Sequence, residues 1–388
     1  MLHLITNAEL YAPARLGPRH ILVAGNKIIY VGEKLPELDP CLDVQVVDVE
    51  GAPVIPGIID AHAHIVGGGG ESGPASRVPP LALSAFTLAG VTSVVGVLGT
   101  DDLTRNTQTL VTQVYGLREQ GISAWCHTGG YHYPLMTLTG SARSDIVNID
   151  PVIGVGELAL SDHRSSQPTL DEFLRVASEA HVAGLMTGKA GIVHCHLGDG
   201  KRGLEMLRAA IEQSELPSRV FNPTHVNRNR QLFEEALEIT KHGCVIDLTA
   251  FPADDVGPGY SATEAFLRYR EASCPPAQLT ISSDGGGCLP QFDTQGNLTQ
   301  MGIGSSSTLM ATLREVAAQG VPLGDILPAM TSNVGDLLRF STKGRLQKGK
   351  DADLIVLSDE LEVRDVMAMG QWHVRDGRAF IVGTYENG

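Results

Sequence analysis

Short segments of alternating apolar and polar residues open the chain: His3 to Ile5, His20 to Ala24, Lys27 to Val31 and Val44 to Val49, broken by turn residues such as Gly25-Asn26. Alternation with a period of two places apolar side chains on one face of a strand, so this stretch predicts a small β domain. The same character returns near the other end, in Asp353 to Leu357, Val366 to Met369 and Gln371 to Arg375, ahead of an Asp376-Gly377 turn signal. One β domain built from both termini accounts for both stretches.

Between them, β-rich apolar runs alternate with longer segments of helical period, the pattern of repeated βα units around a parallel sheet. The strand candidates are Val54 to Ile59, Val91 to Val97, Ile122 to Thr128, Val152 to Leu158, Ile192 to Leu197, Val220 to His225, Cys244 to Leu248 and Leu279 to Ser283. Helical candidates between them include Leu103 to Glu119, Leu170 to Ala183, Gly203 to Gln213, Gln231 to Lys241 and Ser306 to Ala318. Eight such units over about 250 residues match a TIM-type barrel. The expected fold is therefore α/β: a (β/α)8 barrel over residues 53–340, with residues 1–52 and 341–388 forming a small β-sandwich domain. Active sites of such barrels lie where the strands end, so chemistry-bearing residues should gather at those ends.

Composition narrows the class. The chain has 388 residues, 43% of them hydrophobic, enough for a large core and a second domain. Its formal net charge of −15, with no run among 29 basic residues, argues against a nucleic-acid partner. No apolar run is long enough to span a bilayer, and the first residues lack a basic segment followed by a long apolar one, so a cytoplasmic location without membrane partners is expected. Six scattered cysteines with no CxxC spacing read as free thiols.

The strand ends carry the chemistry. The first strand leads into Asp60-Ala-His62-Ala-His64, and residues two apart on a strand project to the same side, so both imidazoles can reach one ion. The fifth ends in His194-Cys-His196-Leu-Gly-Asp199, the sixth in Thr224-His225, and the eighth in Ser282-Ser-Asp284 before three glycines. His194 shares a strand face with His196 but lies one layer deeper, which favours a hydrogen-bonded core histidine. Taken singly, an HxH can be a polar strand end and Asp284 a turn residue. Together they form a set expected of a metal site. Imidazoles and carboxylates suit Zn²⁺, and Mn²⁺ or Co²⁺ fit the same donors.

With these residues in place the chain resembles the amidohydrolase superfamily, and more closely the isoaspartyl dipeptidases, which hydrolyse β-aspartyl peptides. The resemblance spans nearly the whole chain. It rests on Pro56-Gly-Ile-Ile-Asp60-Ala-His-Ala-His64, Gly67-Gly-Gly-Gly-Glu71-Ser-Gly-Pro74, Val94-Val-Gly-Val-Leu-Gly-Thr100-Asp101, Ser161-Asp-His-Arg164-Ser165, Pro223-Thr-His225-Val-Asn-Arg-Asn229, Ser283-Asp284-Gly and Gly349-Lys-Asp-Ala-Asp353-Leu.

The resemblance implies two divalent metal ions, with His62, His64 and Asp284 on one, His196 and His225 on the other, and a hydroxide between them. It implies that Asp284 shuttles the proton to the leaving amine and Tyr131 meets the developing oxyanion. Glu71 would receive the substrate's α-amino group, Arg164 and Arg228 its carboxylates, and Gly69 and Thr100 the aspartyl moiety. One Glu and two Arg do complement a dipeptide with one ammonium and two carboxylates, since Arg pairs bidentately with carboxylate. A homo-oligomer, with an octamer as the suggested state, is also implied.

Two departures stand out. The family bridges its metals with a carbamylated lysine on the fourth strand, but Val152-Ile-Gly-Val-Gly156-Glu157-Leu-Ala-Leu160 contains no lysine, and Glu157 is the natural substitute. Lys189 precedes the fifth strand and belongs to the wrong end of the barrel. At Cys288 the family presents a serine to the substrate, so recognition of the aspartyl group differs here. Competing functions are an N-acyl-amino-acid deacylase, a cyclic amidase of the dihydroorotase or hydantoinase type, and a non-catalytic binding homologue. The first two give no reason for Glu71 with the arginine pair, and the third would be favoured by a missing ligand.

Overall fold

A computed structural model describes residues 2–251, 258–292 and 298–386. The terminal segments form one nine-stranded mixed sheet. From the start of the chain come Leu2–Tyr11, Arg15–Ala24, Lys27–Gly32, Val44–Asp48 and Pro53–Pro56, and from its end Leu354–Leu357, Val363–Ala368, Gln371–Arg375 and Arg378–Ala379. The two halves meet where Pro53–Pro56 pairs antiparallel with Leu354–Leu357. Alternation supplies this sheet with a core of its own, including Ile5, Leu10, Ile21, Val54, Leu354 and Trp372.

Eight parallel strands curl into the barrel: Ile58–Ala63, Val91–Gly96, Ser123–Thr128, Val152–Leu160, Val193–Leu197, Phe221–Thr224, Ile246–Thr249 and Leu279–Ser282. The first six hydrogen-bond in sequence order, and the last two pair with each other. Closure comes from backbone bonds at the strand ends, Asp284 N–H to His62 C=O at 3.1 Å and His64 N–H to Gly285 C=O at 2.8 Å. Those two bonds also join the two segments that carry His62, His64 and Asp284, half of the expected ligands.

The run expected as one strand, Val54 to Ile59, is divided between the two sheets. Pro53–Pro56 belongs to the terminal sheet and Ile58–Ala63 to the barrel, and the chain crosses at Gly57, where a Cβ would lie 2.2 Å from Thr92 Oγ1. Continuous hydrophobicity hides this switch because both pieces are buried.

Local signals set the helices that surround the barrel. Leu170–Thr187 starts at Thr169, which forms a reciprocal capping box with Glu172, and stops at Gly188 in the left-handed conformation. It buries Phe173, Val176, Ala177, Ala180 and Ala183, the three-and-four spacing of one helical face. The helix expected from Leu103 begins later, at Thr107, because Asn106 caps it and Asp101 instead accepts from the Thr104 N–H in a turn. Arg105 is thereby left in the turn rather than on a helix. After the eighth strand an antiparallel hairpin, Cys288–Phe292 with Leu298–Ile303, adds a feature the periodicity did not announce. No helix among the described residues is long and apolar enough to cross a membrane.

Candidate active site

The ends of the first, fourth, fifth, sixth and eighth strands bring His62, His64, Glu157, His196, His225 and Asp284 together, all of them buried. Glu157 owes its place to a bulge. Between the Val155–Val193 and Leu158–Cys195 pairs, strand four carries one residue more than strand five, which re-aims the side chain. The extra residue is accommodated at Gly156, where a Cβ would come within 2.8 Å of His194 Cβ. His225 and Asp284 sit at φ of 62° and 53°, a left-handed conformation that costs a non-glycine residue about 1 kcal/mol or more and is concentrated at functional sites.

Glu157 lies at the centre. Its Oε1 is 3.3 Å from His64 Nε2, while Oε2 is 3.0 Å from His196 Nδ1, 3.4 Å from His225 Nε2 and 3.7 Å from His62 Nε2. Asp284 Oδ1 closes the other side, 3.4 Å from His62 Nε2 and 3.2 Å from His64 Nε2. Two sets of donor atoms are close enough to hold a cation, His62 with His64 and Asp284, and His62 with Glu157 and His225. The donors fit such an occupant, because His62 Nε2 and Asp284 Oδ1 are buried with no hydrogen-bond partner, and buried polar atoms are rarely left so. His196 falls outside both sets, although its Nδ1 faces Glu157 and Tyr131 while its Nε2 meets Asp162.

Burial works against charge on these groups, yet their mutual attraction outweighs it in most. His64 is lifted to about 10 by Asp284 and Glu157, and His62 is also raised, with Glu157 foremost. Burial is likewise overcome at the two carboxylates, which the histidines hold below the usual carboxylate range. His225, where burial prevails, falls to about 3.

Above this cluster opens a pocket. Gly69, Glu71, Thr100, Tyr131, Arg164, Arg228 and Cys288 all line it, beside His64, Glu157, His196 and Asp284, whereas His62 and His225 lie beneath. Thr100 Oγ1 donates to Glu71 Oε1 at 3.0 Å, and Arg164 Nη1 lies 3.5 Å from the same oxygen. Arg164 Nη2 and Arg228 Nη1 converge on His196 Nε2 at 3.4 and 3.2 Å. Tyr131 Oη lies 2.8 Å from His196 Nδ1, and burial, reinforced by Glu157, raises its phenol well above the ordinary value. Burial also lifts the Cys288 thiol to about 12, so it lines the cavity as a neutral group.

Two residues without an assigned role prove central. Asp162 receives Arg164 through both Nε and Nη2, at 3.0 and 2.8 Å, and lies 3.1 Å from His196 Nε2. It sits inside the Ser161–Ser165 motif, and an acidic residue two positions before a substrate-facing arginine was the available signal. Arg105 donates to the carbonyls of Val66, Gly69 and Val78, pinning the glycine-rich loop that carries Gly69 and Glu71. Lys189 is committed elsewhere, its ammonium bound to the carbonyls of Ile146 and Ile149.

Comparison with known proteins follows the same lines. The model of the amidohydrolase family matches residues 54–373. The structure resembles that of a β-aspartyl dipeptidase from the thermophilic keratin-degrading Fervidobacterium islandicum AW-1 in complex with the dipeptide β-Asp-Leu, with 41% identity, a TM-score of 0.94, and 98% of this chain and 97% of that one covered. A second structure of β-aspartyl dipeptidase from the same organism gives 39% identity and a TM-score of 0.90, with 98% of each chain covered. A dihydropyrimidinase from Brevibacillus agri NCHU1002, at 14% identity and a TM-score of 0.66 over 98% of this chain and 96% of that one, shares the fold.

Proposed function

The chain belongs to the amidohydrolase family, and on that premise we propose that it hydrolyses the isopeptide bond of β-aspartyl dipeptides. The observation that carries this is the charge pattern of the cavity: Glu71 and two guanidiniums, Arg164 and Arg228, line the space above the His/Asp/Glu cluster, while Asp101 and Arg105, which also line it, offset each other. A β-aspartyl dipeptide presents the complement, one ammonium and two carboxylates. The relative at 41% identity was crystallised with such a dipeptide.

His62, His64 and Asp284 would hold one cation and His196 and His225 the other, with Glu157 between them, its Oε1 facing His64 and its Oε2 facing His196 and His225 and, at 3.7 Å, His62. His196 already turns Nδ1 to Glu157 at 3.0 Å while its Nε2 meets Asp162. The imidazole and carboxylate donors suit Zn²⁺. Such a pair, when bound, supplies an activated water and polarises the scissile carbonyl.

The residues themselves do the rest. Glu71 fixes the α-ammonium, with Thr100 orienting its carboxylate, and Arg164 and Arg228 take the carboxylates. Together they hold the scissile carbonyl over the cluster, and orientation of this kind supplies a large part of a rate enhancement. Tyr131, which stays protonated, donates to the developing oxyanion. Asp284, held ionised by the neighbouring histidines, accepts the proton of the attacking water and passes it to the leaving amine.

The test is a substrate panel for the Zn²⁺-loaded protein: β-Asp-Leu beside α-Asp-Leu, N-acyl-leucine and a cyclic amide. A kcat/KM for β-Asp-Leu far above the others is expected. Equal rates on the α- and β-linked peptides, or turnover of the acyl or cyclic substrate alone, would overturn the assignment.

A further inference from the structure

Beneath the cluster, a chain of three hydrogen bonds crosses the barrel interior from strand to strand. Asn222, on the sixth strand, donates Nδ2–H to the Val245 carbonyl at 2.8 Å. Its Oδ1 lies 2.6 Å from Nδ1 of His194 on the fifth strand. His194 Nε2 lies 2.8 Å from Nδ1 of His62 on the first. All three side chains are buried, with exposures of 1% or less.

The direction of this chain follows from its anchored end. A backbone carbonyl can only accept, so the Asn222 nitrogen must face Val245 and its oxygen must face His194. An amide oxygen can only accept too, so His194 carries its proton on Nδ1. Among the described residues no carboxylate lies within hydrogen-bond reach of the His194 ring, and a buried imidazolium without a counter-charge is costly. His194 is therefore neutral, its Nε2 is a bare acceptor, and the proton between the two rings belongs to His62 Nδ1.

We infer that Asn222 and His194 are positioning residues for the metal centre: they commit His62 Nδ1–H to His194, so that Nε2 is the nitrogen His62 turns to a cation. An independent observation agrees. His62 Nε2 is the buried, unpartnered nitrogen, and it faces Asp284 and Glu157. The opposite tautomer would place two lone pairs against each other between the rings. The barrel thus reads the carbonyl of Val245 out, through two side chains, as the orientation and basicity of a ligand on the first strand. Partners of this kind are worth about 10–100-fold in metal affinity.

The inference rests on the metal-binding part of the proposed function and is independent of the substrate, so its test uses Zn²⁺ alone. Competition titration of the metal-free protein with a chromophoric chelator should give a Zn²⁺ dissociation constant raised about 10–100-fold by His194→Phe, which removes the acceptor. His194→Gln, whose side-chain oxygen can still accept from His62, should stay within a few-fold of wild type. Asn222→Leu, which frees His194 to reverse, should resemble His194→Phe. Because a core variant can fail to fold, the unaltered protein carries a second measurement: long-range ¹H–¹⁵N correlation on histidine-labelled, Zn²⁺-loaded protein should find the His62 proton on Nδ1. A proton on Nε2, or equal Zn²⁺ affinity in His194→Phe and wild type, would overturn the inference while leaving the choice of peptide substrate untouched.

Discussion

Glu157→Gln keeps the shape of a side chain that is 1% exposed and removes its charge, so it isolates what the carboxylate does between the two histidine sets. In the structure, both oxygens lie within 3.0 to 3.7 Å of four imidazole nitrogens. A four-ligand zinc site is worth about 10–16 kcal/mol. One ligand then carries about 3 kcal/mol, and losing it raises the dissociation constant about 100-fold. Because Glu157 faces both sets, affinity for both cations should fall, and Glu157→Ala should lose at least one of them. Metal content after gel filtration, with chelator competition for the affinities, reads this directly. A second arm separates a glutamate bridge from a lysine carbamate, which must be assembled from dissolved CO2. Metal-free protein should regain full activity on adding Zn²⁺ in CO2-depleted buffer. Two cations held at wild-type affinity by Glu157→Gln, or reactivation that depends on bicarbonate, would refute the reasoning.

Asp162→Asn removes the carboxylate that holds Arg164 through two bonds; breaking a buried pair costs about 3–5 kcal/mol, so kcat/KM should fall by about 100- to 4,000-fold, chiefly through KM, and normal steady-state kinetics would contradict the role. Arg105→Lys cannot reach all three carbonyls that pin the glycine loop; losing two charged hydrogen bonds at about 1.5–3 kcal/mol each should lower the urea midpoint and raise KM, and an unchanged denaturation curve would show that the loop holds itself. In the metal-free protein, burial disfavours charge on His64, yet Asp284 and Glu157 lift it to about 10. The folded state therefore holds a proton that the unfolded chain releases near pH 6.5, and this stabilisation is complete below that pH and lost as pH rises toward 10. Urea titrations of metal-free protein should weaken across that window, and a stability that rises there would contradict the sign.

What the sequence made legible follows from two periodicities. A period of two put His62 and His64 on one side of one strand, and the rule that barrels work at their strand ends gathered His196, His225 and Asp284 without any knowledge of distance. What it hid are features with no periodic trace. Gly57, where the chain changes sheets, sits inside one unbroken apolar run. The bulge at Gly156 changes which way Glu157 points, and a bulge depends on the neighbouring strand. Arg105 reads as a helix residue until the Asn106 cap delays the helix and turns the guanidinium inward. Asp162 belongs to a recognised motif, but its two partners lie at sequence distances of 2 and 34. Short-range pattern reading sees the first and not the second.

The charges around the cavity explain why these pieces occur as a set. Glu71, Glu157, Asp162 and Asp284 face Arg164 and Arg228, while Asp101 and Arg105 lie close enough to offset each other. Four carboxylates against two guanidiniums would repel a dipeptide that itself carries a net negative charge. In the metal-free protein, Asp284 and Glu157 lift His64 to about 10 despite its burial, so a proton there offsets part of the deficit. Divalent cations bound as proposed would displace such protons, since a ligating imidazole must be deprotonated, and would leave the cavity net positive. On the proposed function, the residues that hold the metal would thus also decide whether the dipeptide is attracted. On that reading Arg164, tied to Asp162, and Arg228, whose Nη1 donates to the Leu197 carbonyl, would already be in place to sort the dipeptide's two carboxylates. Holding them there before binding spares the ordering cost that a free side chain would bring.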